Sequence, residues 1–127
     1  MTITLKPYTD SRFHPGQRWS YRTRPADVRS TALIVAVDEF IGGVVVNVLL
    51  SEVERGPGLE PISVLAPVRL AEVLASTLAL LDDGHDVAAH TDSLDEWRRL
   101  VEAGKAGVFT TELSRVAALI ASHASAS

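Results

Sequence analysis

The stretch Gln17-Arg18-Trp19-Ser20-Tyr21-Arg22-Thr23 turns Trp19 and Tyr21 to one side and Arg18, Ser20 and Arg22 to the other. Alternation with a period of two predicts a β-strand whose aromatics face a core and whose cations face water. Downstream, Thr31 to Phe40 contains Leu33-Ile34-Val35-Ala36-Val37, apolar on both faces, as in a central strand covered on both sides. A third strand is expected from Val44 to Val53, after Ile41-Gly42-Gly43, whose glycines supply the positive φ of a tight hairpin. The segment from Phe13 to Val53 therefore reads as three strands and two turns.

The flanks are read outward from that unit. Thr2-Ile3-Thr4-Leu5 is expected as a short edge strand broken by Pro7, and His14-Pro15-Gly16 and Arg24-Pro25-Ala26-Asp27 as turns. Arg55 to Pro61 is too rich in Gly and Pro to continue a ladder, and Ile62 to Leu65 can return as a short fourth strand. After Pro67, residues Val68, Leu70, Ala71, Val73, Leu74, Leu78 and Leu81 recur at helical spacing, predicting an amphipathic helix that ends at Asp82-Asp83-Gly84. Pro67 suits the first turn of such a helix. Asp82 and Asp83 do not suit its end, because carboxylates are unfavourable at the negative pole of the helix dipole.

His85 to Thr91 reads as an exposed connection. Ser93-Leu94-Asp95-Glu96 has capping-box spacing for a second helix through Trp97, Leu100 and Val101, ending near Ala103-Gly104. Gly107-Val108-Phe109 is expected as an extended bridge docked on the sheet edge. Thr110 or Thr111 would then cap a last helix with Leu113, Val116, Ala117 and Ile120 on its apolar face. The expectation is one α+β domain over residues 1–121 and a disordered tail over 122–127. Its core would be a bent, half-barrel-like antiparallel sheet of about four strands followed by about three helices packed on it. Trp19, Tyr21 and Trp97 would share one core.

The length of 127 residues fits a single domain, and 46% hydrophobic with 22% charged residues is an ordinary globular balance. The absence of cysteine excludes disulfides, thiol nucleophiles and cysteine-ligated zinc, and it suits a reducing compartment. With no secretory pattern at the start and no apolar run approaching ~20 residues, the chain is expected to be soluble, cytoplasmic and not membrane-bound. The net charge of −4 is split unevenly. Lys6, Arg12, Arg18, Arg22, Arg24 and Arg29 outnumber Asp10 and Asp27 in residues 1–30, so the acidic excess lies in the remainder.

Chemistry-bearing patterns are sparse. His85 and His90 stand five apart in a loop with Asp83, Asp86 and Asp92, a set that could serve a metal-dependent enzyme but lacks recognised ligand spacing. No Gly-x-Ser-x-Gly elbow occurs, and the glycines at 42, 43, 56 and 58 form no phosphate-binding loop. The expectation leans away from an enzyme, with no catalytic residue, metal ligand or cofactor assigned. Arg18, Arg22 and Arg24 are the strongest surface signal and would suit nucleotide or single-stranded RNA. Against this, alternation turns Trp19 and Tyr21 away from the arginines, and the pI near 5.5 is low for a nucleic-acid binder. Pairing of Arg18 and Arg22 with Glu52 and Glu54 on a neighbouring strand is the competing structural reading.

The run from Gly16 to Pro25, followed by Ser30-Thr31-Ala32-Leu33, resembles the opening of a family of small bacterial proteins of unassigned function. Glu96-Trp97-Arg98-Arg99, with the block from Ala103 to Thr110, is similar to that family's C-terminal part. The resemblance implies a shared architecture and a bacterial source, and no activity. By analogy with small acidic domains that lack a catalytic set, the leading expectation is an interaction protein, such as an immunity-type inhibitor of a toxin. The expected partner is a protein with a basic surface facing the acidic loops Asp82 to Asp92 and Glu52 to Glu60; Arg18, Arg22, Arg24, Asp83 and Asp86 are the candidate binding residues, and a homodimer through an uncovered edge strand is a further expectation.

Overall fold

The computed structural model describes residues 4–125 of the chain. The fold grows from one long hairpin, β3 (Ala32–Phe40) and β4 (Gly43–Val53), closed by Phe40 opposite Gly43. Gly43 has φ 126°, which an L side chain rarely adopts. β5 (Ile62–Arg69) lines the far edge of β4. The other edge of β3 is shared between β2 (Arg18–Tyr21) and β1 (Lys6–Pro7). β6 (Thr77–Asp82) then pairs with β2, completing an open six-stranded sheet in the order β5-β4-β3-β2-β6 with β1 beside β3. Every strand pair is antiparallel. The α+β class stands, with more strands than the four expected.

Among the described residues there are three α-helices: α1 (Leu70–Ser76), α2 (Thr91–Glu102) and α3 (Leu113–Ser125). They cover both faces of the sheet. Val73 of α1 and Leu113, Val116, Ala117 and Ala121 of α3 pack on a core containing Phe13, Trp19, Tyr21, Ile34, Val46, Val48 and Leu50. A register shift between Ile34 and Ala36 puts Val35 and Ala36 together on the opposite face, where they meet Leu94 and Trp97 of α2. Trp97 thus belongs to a second core, not to the one expected. Its indole N–H donates to Gly107 O at 3.1 Å, tying the segment after α2 to that helix. Phe109 then forms the expected bridge on the sheet edge beside Val68.

The long helix expected from Val68 to Leu81 is replaced by three shorter elements. β5 runs through Pro67, which sits opposite Asn47. Its carbonyl accepts the Phe109 N–H at 2.8 Å, so the side of Pro67 that lacks a donor faces the outer edge, where the β4 ladder asks for none. α1 ends as Thr77 turns extended and its hydroxyl donates to Val73 O at 2.9 Å. Leu74, Leu78 and Leu81 were expected on a helix's apolar face, yet they are 42%, 55% and 47% exposed. The misplaced carboxylates are thereby accounted for: Asp82 closes a strand, and no helix dipole opposes it.

Other boundaries shift less. Of the expected edge strand, Thr2 and Ile3 lie outside the described residues, and the first described strand is Lys6–Pro7. α2 starts at Thr91, ahead of the capping box at Ser93, and the residue before it, His90, makes no side-chain capping hydrogen bond. α3 continues through Ser125, beyond Ser122 where a tail was expected, and residues 126–127 lie outside the described residues.

Between the sheet and α2 lie two kinds of buried polar group. The Asp38 carboxylate, 1% exposed, receives Arg98 Nη2 at 2.9 and 3.1 Å. The Asn47 side chain is fully buried, and among the described residues neither its Oδ1 nor its Nδ2 has a hydrogen-bond partner. An unpaired buried amide loses its hydration without recompense. Asn47→Val is therefore expected to raise the unfolding free energy by about 1–2 kcal/mol, read as a higher urea midpoint at unchanged slope.

Candidate functional site

The open end of the sheet begins at β2. Its alternation holds: Trp19 and Tyr21 are buried, and Arg18 and Ser20 face the other side. Trp19 stacks edge-on with Phe13 at 5.2 Å between centroids, and the Arg12 guanidinium lies 5.2 Å from the Trp19 ring centroid. Gln17, also buried, accepts hydrogen bonds from Trp19 Nε1 and from the His14 backbone N–H. Tyr21 shares a 2.7 Å hydrogen bond with Ser30, and burial pushes its phenol pKa up. These aromatics are structural and unavailable for stacking on a base.

The three expected arginines part company. Arg18 pairs with Asp82, the residue opposite it on β6, through Nε to Oδ1 at 3.0 Å and Nη2 to Oδ2 at 2.5 Å. Arg24 clasps the buried Asp27 at 2.6 and 3.0 Å and also donates to Glu54 O at 2.8 Å. Asp27 in turn accepts the Glu54 N–H, so this cluster fastens the turn at Pro25 to the end of β4. Arg22 is exposed, and its guanidinium makes no hydrogen bond or ion pair among the described residues. The expected pairing of Arg18 and Arg22 with Glu52 and Glu54 is not formed. Glu52 stands only 4.0 Å from Arg29.

The acidic candidates gather at the far end of β6. His85 Nε2 lies 2.6 Å from Asp82 Oδ1, so one carboxylate holds both Arg18 and His85. His85 is fixed through its backbone: its N–H donates to Gly16 O at 3.0 Å, and a Cβ on Gly16 would stand 2.9 Å from His85 O. Asp83 is exposed and accepts only the N–H of Gly84, and Asp86 accepts the Ala88 N–H as the chain turns toward α2. Arg18 and Asp83 therefore meet at one corner. Arg22 lies at the other end of the β2–β6 pair, Arg24 belongs to a separate clasp, and Asp86 serves a turn.

The hydrogen bonds from Arg18 and His85 hold the Asp82 carboxyl down to a pKa of about 2. A depressed acid contributes stability above its unfolded pKa of about 3.9 and loses it as pH falls through the folded value. Acid unfolding is therefore expected to be less steep in Asp82→Asn than in the wild type between about pH 4 and 2. Carbon-detected NMR titration of Asp82 should give a midpoint near 2.

Neither the metal reading nor a catalytic one gains geometry. Among the described residues no three His, Asp or Glu side chains gather to hold a metal. His85 is turned to Asp82, and His90 lies in the 3-10 turn before α2. No helix of the described residues is long and apolar enough to cross a membrane. The largest feature of this region is one that sequence reasoning missed: β6 is an outermost strand, and Leu78, Leu80 and Leu81 on it are 55%, 46% and 47% exposed. Its one warning in the sequence was the pair of carboxylates ill-suited to a helix end. A scan against family models, a search of curated proteins and a search of solved structures each returned no match.

Proposed function

We propose that the chain is a non-enzymatic protein-binding module whose binding element is the outer edge of β6. The observation that carries this reading is the combination of an unpaired strand edge with three exposed leucines and no charge from Val73 to Leu81. Such an edge offers main-chain N–H and C=O groups to an added strand. Natural proteins usually protect a bare edge with lysine, proline or a covering loop. Here proline and a covering segment appear on the opposite edge, at Pro67 and Phe109, and among the described residues β6 has neither.

An immunity-type inhibitor is the narrower form of the same reading. Asp82, Asp83 and Asp86 beside the edge would face a basic surface of the inhibited protein. Binding of nucleotide or single-stranded RNA through an arginine face has less support, since Arg18 and Arg24 are paired and the aromatics are buried. The test is comparative capture from a bacterial extract by wild type and by the double variant Leu78→Lys with Leu80→Lys, which charges the exposed edge. Proteins retained by the wild type and lost by the variant support the reading. An identical set on both baits counts against it.

A further inference from the structure

We propose that the uncovered part of the β5 edge is a second binding site, which takes an extended apolar peptide as an added strand beside Leu65. The inference goes beyond the β6 reading and rests on the opposite edge of the sheet. β5 is the outermost strand on its side, and its cover is short. The Phe109 N–H donates to Pro67 O at 2.8 Å, and the Arg69 N–H donates to Phe109 O at 3.0 Å, so the main-chain groups of residues 67 and 69 point away from β4. From Val64 to Arg69 the ladder with β4 runs without a register shift; its irregularity lies further on, between Leu50 and Val53. Alternate residues of a regular strand send their N–H and C=O to the same side. The N–H and C=O of Leu65 therefore point outward as well, and among the described residues neither has a partner.

The cover stops short of them. The bridge between Val68 and Phe109 is isolated, and two residues before Phe109 the Gly107 carbonyl is held by the Trp97 indole of α2 at 3.1 Å. Leu65 thus lacks the kind of neighbour that Phe109 gives to Val68, and extended main chain supplies the donor and acceptor it needs. On the α3 side of this edge lies a groove of about 560 Å3, lined by Ile62, Val64, Phe109, Leu119, Ile120 and His123. Phe109 belongs to both the groove and the docked segment, so the groove continues the seam that this segment already occupies. In an added strand, the residue beside Leu65 shares its face toward α2, and the residues flanking it face α3 and the groove. One apolar side chain there would cover Leu119, which is 48% exposed.

Charge narrows the occupant. No Asp, Glu, Lys or Arg occurs from Pro61 to Val68, and among the described residues His123 is the one ionisable side chain lining the groove. A nucleic acid would find no cluster of cations for its phosphates. An uncharged peptide with apolar residues at alternate positions matches the surface.

The probe is a library of random heptapeptides displayed on phage and selected on the wild-type protein. Enriched sequences are expected to share apolar residues at alternate positions, and a synthetic peptide of the enriched sequence should shift the Leu65 amide and the His123 ring in NMR spectra. Leu119→Lys, which charges the groove from an exposed position, should raise the dissociation constant of that peptide about tenfold or more. Leu65→Pro removes the outward N–H, as Pro67 does two residues later, and should weaken binding as well. Because Leu65 also packs on the second core, that variant counts only with an unchanged circular dichroism spectrum, and Leu119→Lys carries the test without it. Leu78→Lys with Leu80→Lys on β6, and Ile41→Lys on the exposed β3–β4 turn, should bind the peptide as the wild type does.

No enrichment on the wild type, or peptides bound equally by wild type and Leu119→Lys, overturns the proposal. Peptides lost by the β6 double variant and kept by Leu119→Lys would overturn it too, while supporting β6 as the binding edge. Self-association of the wild type that Leu119→Lys abolishes would put a second copy of the chain on β5 in place of a peptide, and would equally overturn it.

Discussion

Phe13→Ala is expected to destabilise the protein by about 3–5 kcal/mol, the range for truncating a fully buried aromatic. Phe13 is 0% exposed and packs at an interplanar angle of 67° against Trp19. It lies outside every regular element, in the turn where the Asp10 carboxylate accepts the backbone N–H groups of Arg12 and Phe13. That turn delivers Phe13 into the core shared by β2, β4 and α3, so the cavity left by alanine would border elements that cannot close over it together. The loss should appear as a lower denaturant midpoint, and Trp19 fluorescence should shift toward that of a wetter indole in the native state. A cost below 1 kcal/mol would mean that Phe13 does not hold the turn to the core.

Arg98→Ala is expected to have the second-largest effect, about 2–3 kcal/mol at neutral pH. The variant leaves Asp38 ionised, 1% exposed and unpaired beneath α2. The value sits at the low end for breaking a buried pair because Arg98 is itself 32% exposed and solvent screens its side of the interaction. The pH dependence fixes the cause. Burial raises the Asp38 pKa even with Arg98 present, and losing Arg98 raises it further. A group with a raised folded pKa favours the folded state most below its unfolded pKa and loses that contribution as pH rises through the folded value. The gap between Arg98→Ala and wild type should thus narrow as pH falls toward 4 and widen toward neutrality. In an Asp38→Asn background, Arg98→Ala should cost much less, and a double-mutant cycle measures the difference.

How much of this was legible in the residues differs by element. The strands from Arg18 to Val53 were readable because both of their periodicities are unambiguous: alternation in β2, and continuous apolar sequence in a β3–β4 hairpin covered on two faces. The segment from Pro67 to Leu81 was not. Leucines and valines at three- and four-residue spacing satisfy a helical template equally well when they belong to an edge strand, a short helix and a second edge strand in succession. What decided the matter was tertiary: β2 has an open side, and Thr77 to Asp82 fills it. The arginines show a similar limit. Alternation correctly assigned Arg18 to the solvent side, but its partner Asp82 is 64 residues away, on a strand the periodicity had hidden. The Leu78–Leu81 edge could not be suspected until that strand existed.

The proposed binding role requires that Thr77–Asp82 be an open edge strand. Residue-resolved amide hydrogen exchange across Leu70 to Asp82 tests it directly, measured at high dilution and again at high concentration or with a captured partner. If Thr77–Asp82 is an edge strand completed by another chain, its outward amides exchange rapidly at dilution and become protected on association, while those of β3 and β4 stay protected throughout. Unbroken, concentration-independent protection from Leu70 through Leu81, indifferent to any partner, would mean a helix with no binding edge and would contradict the account.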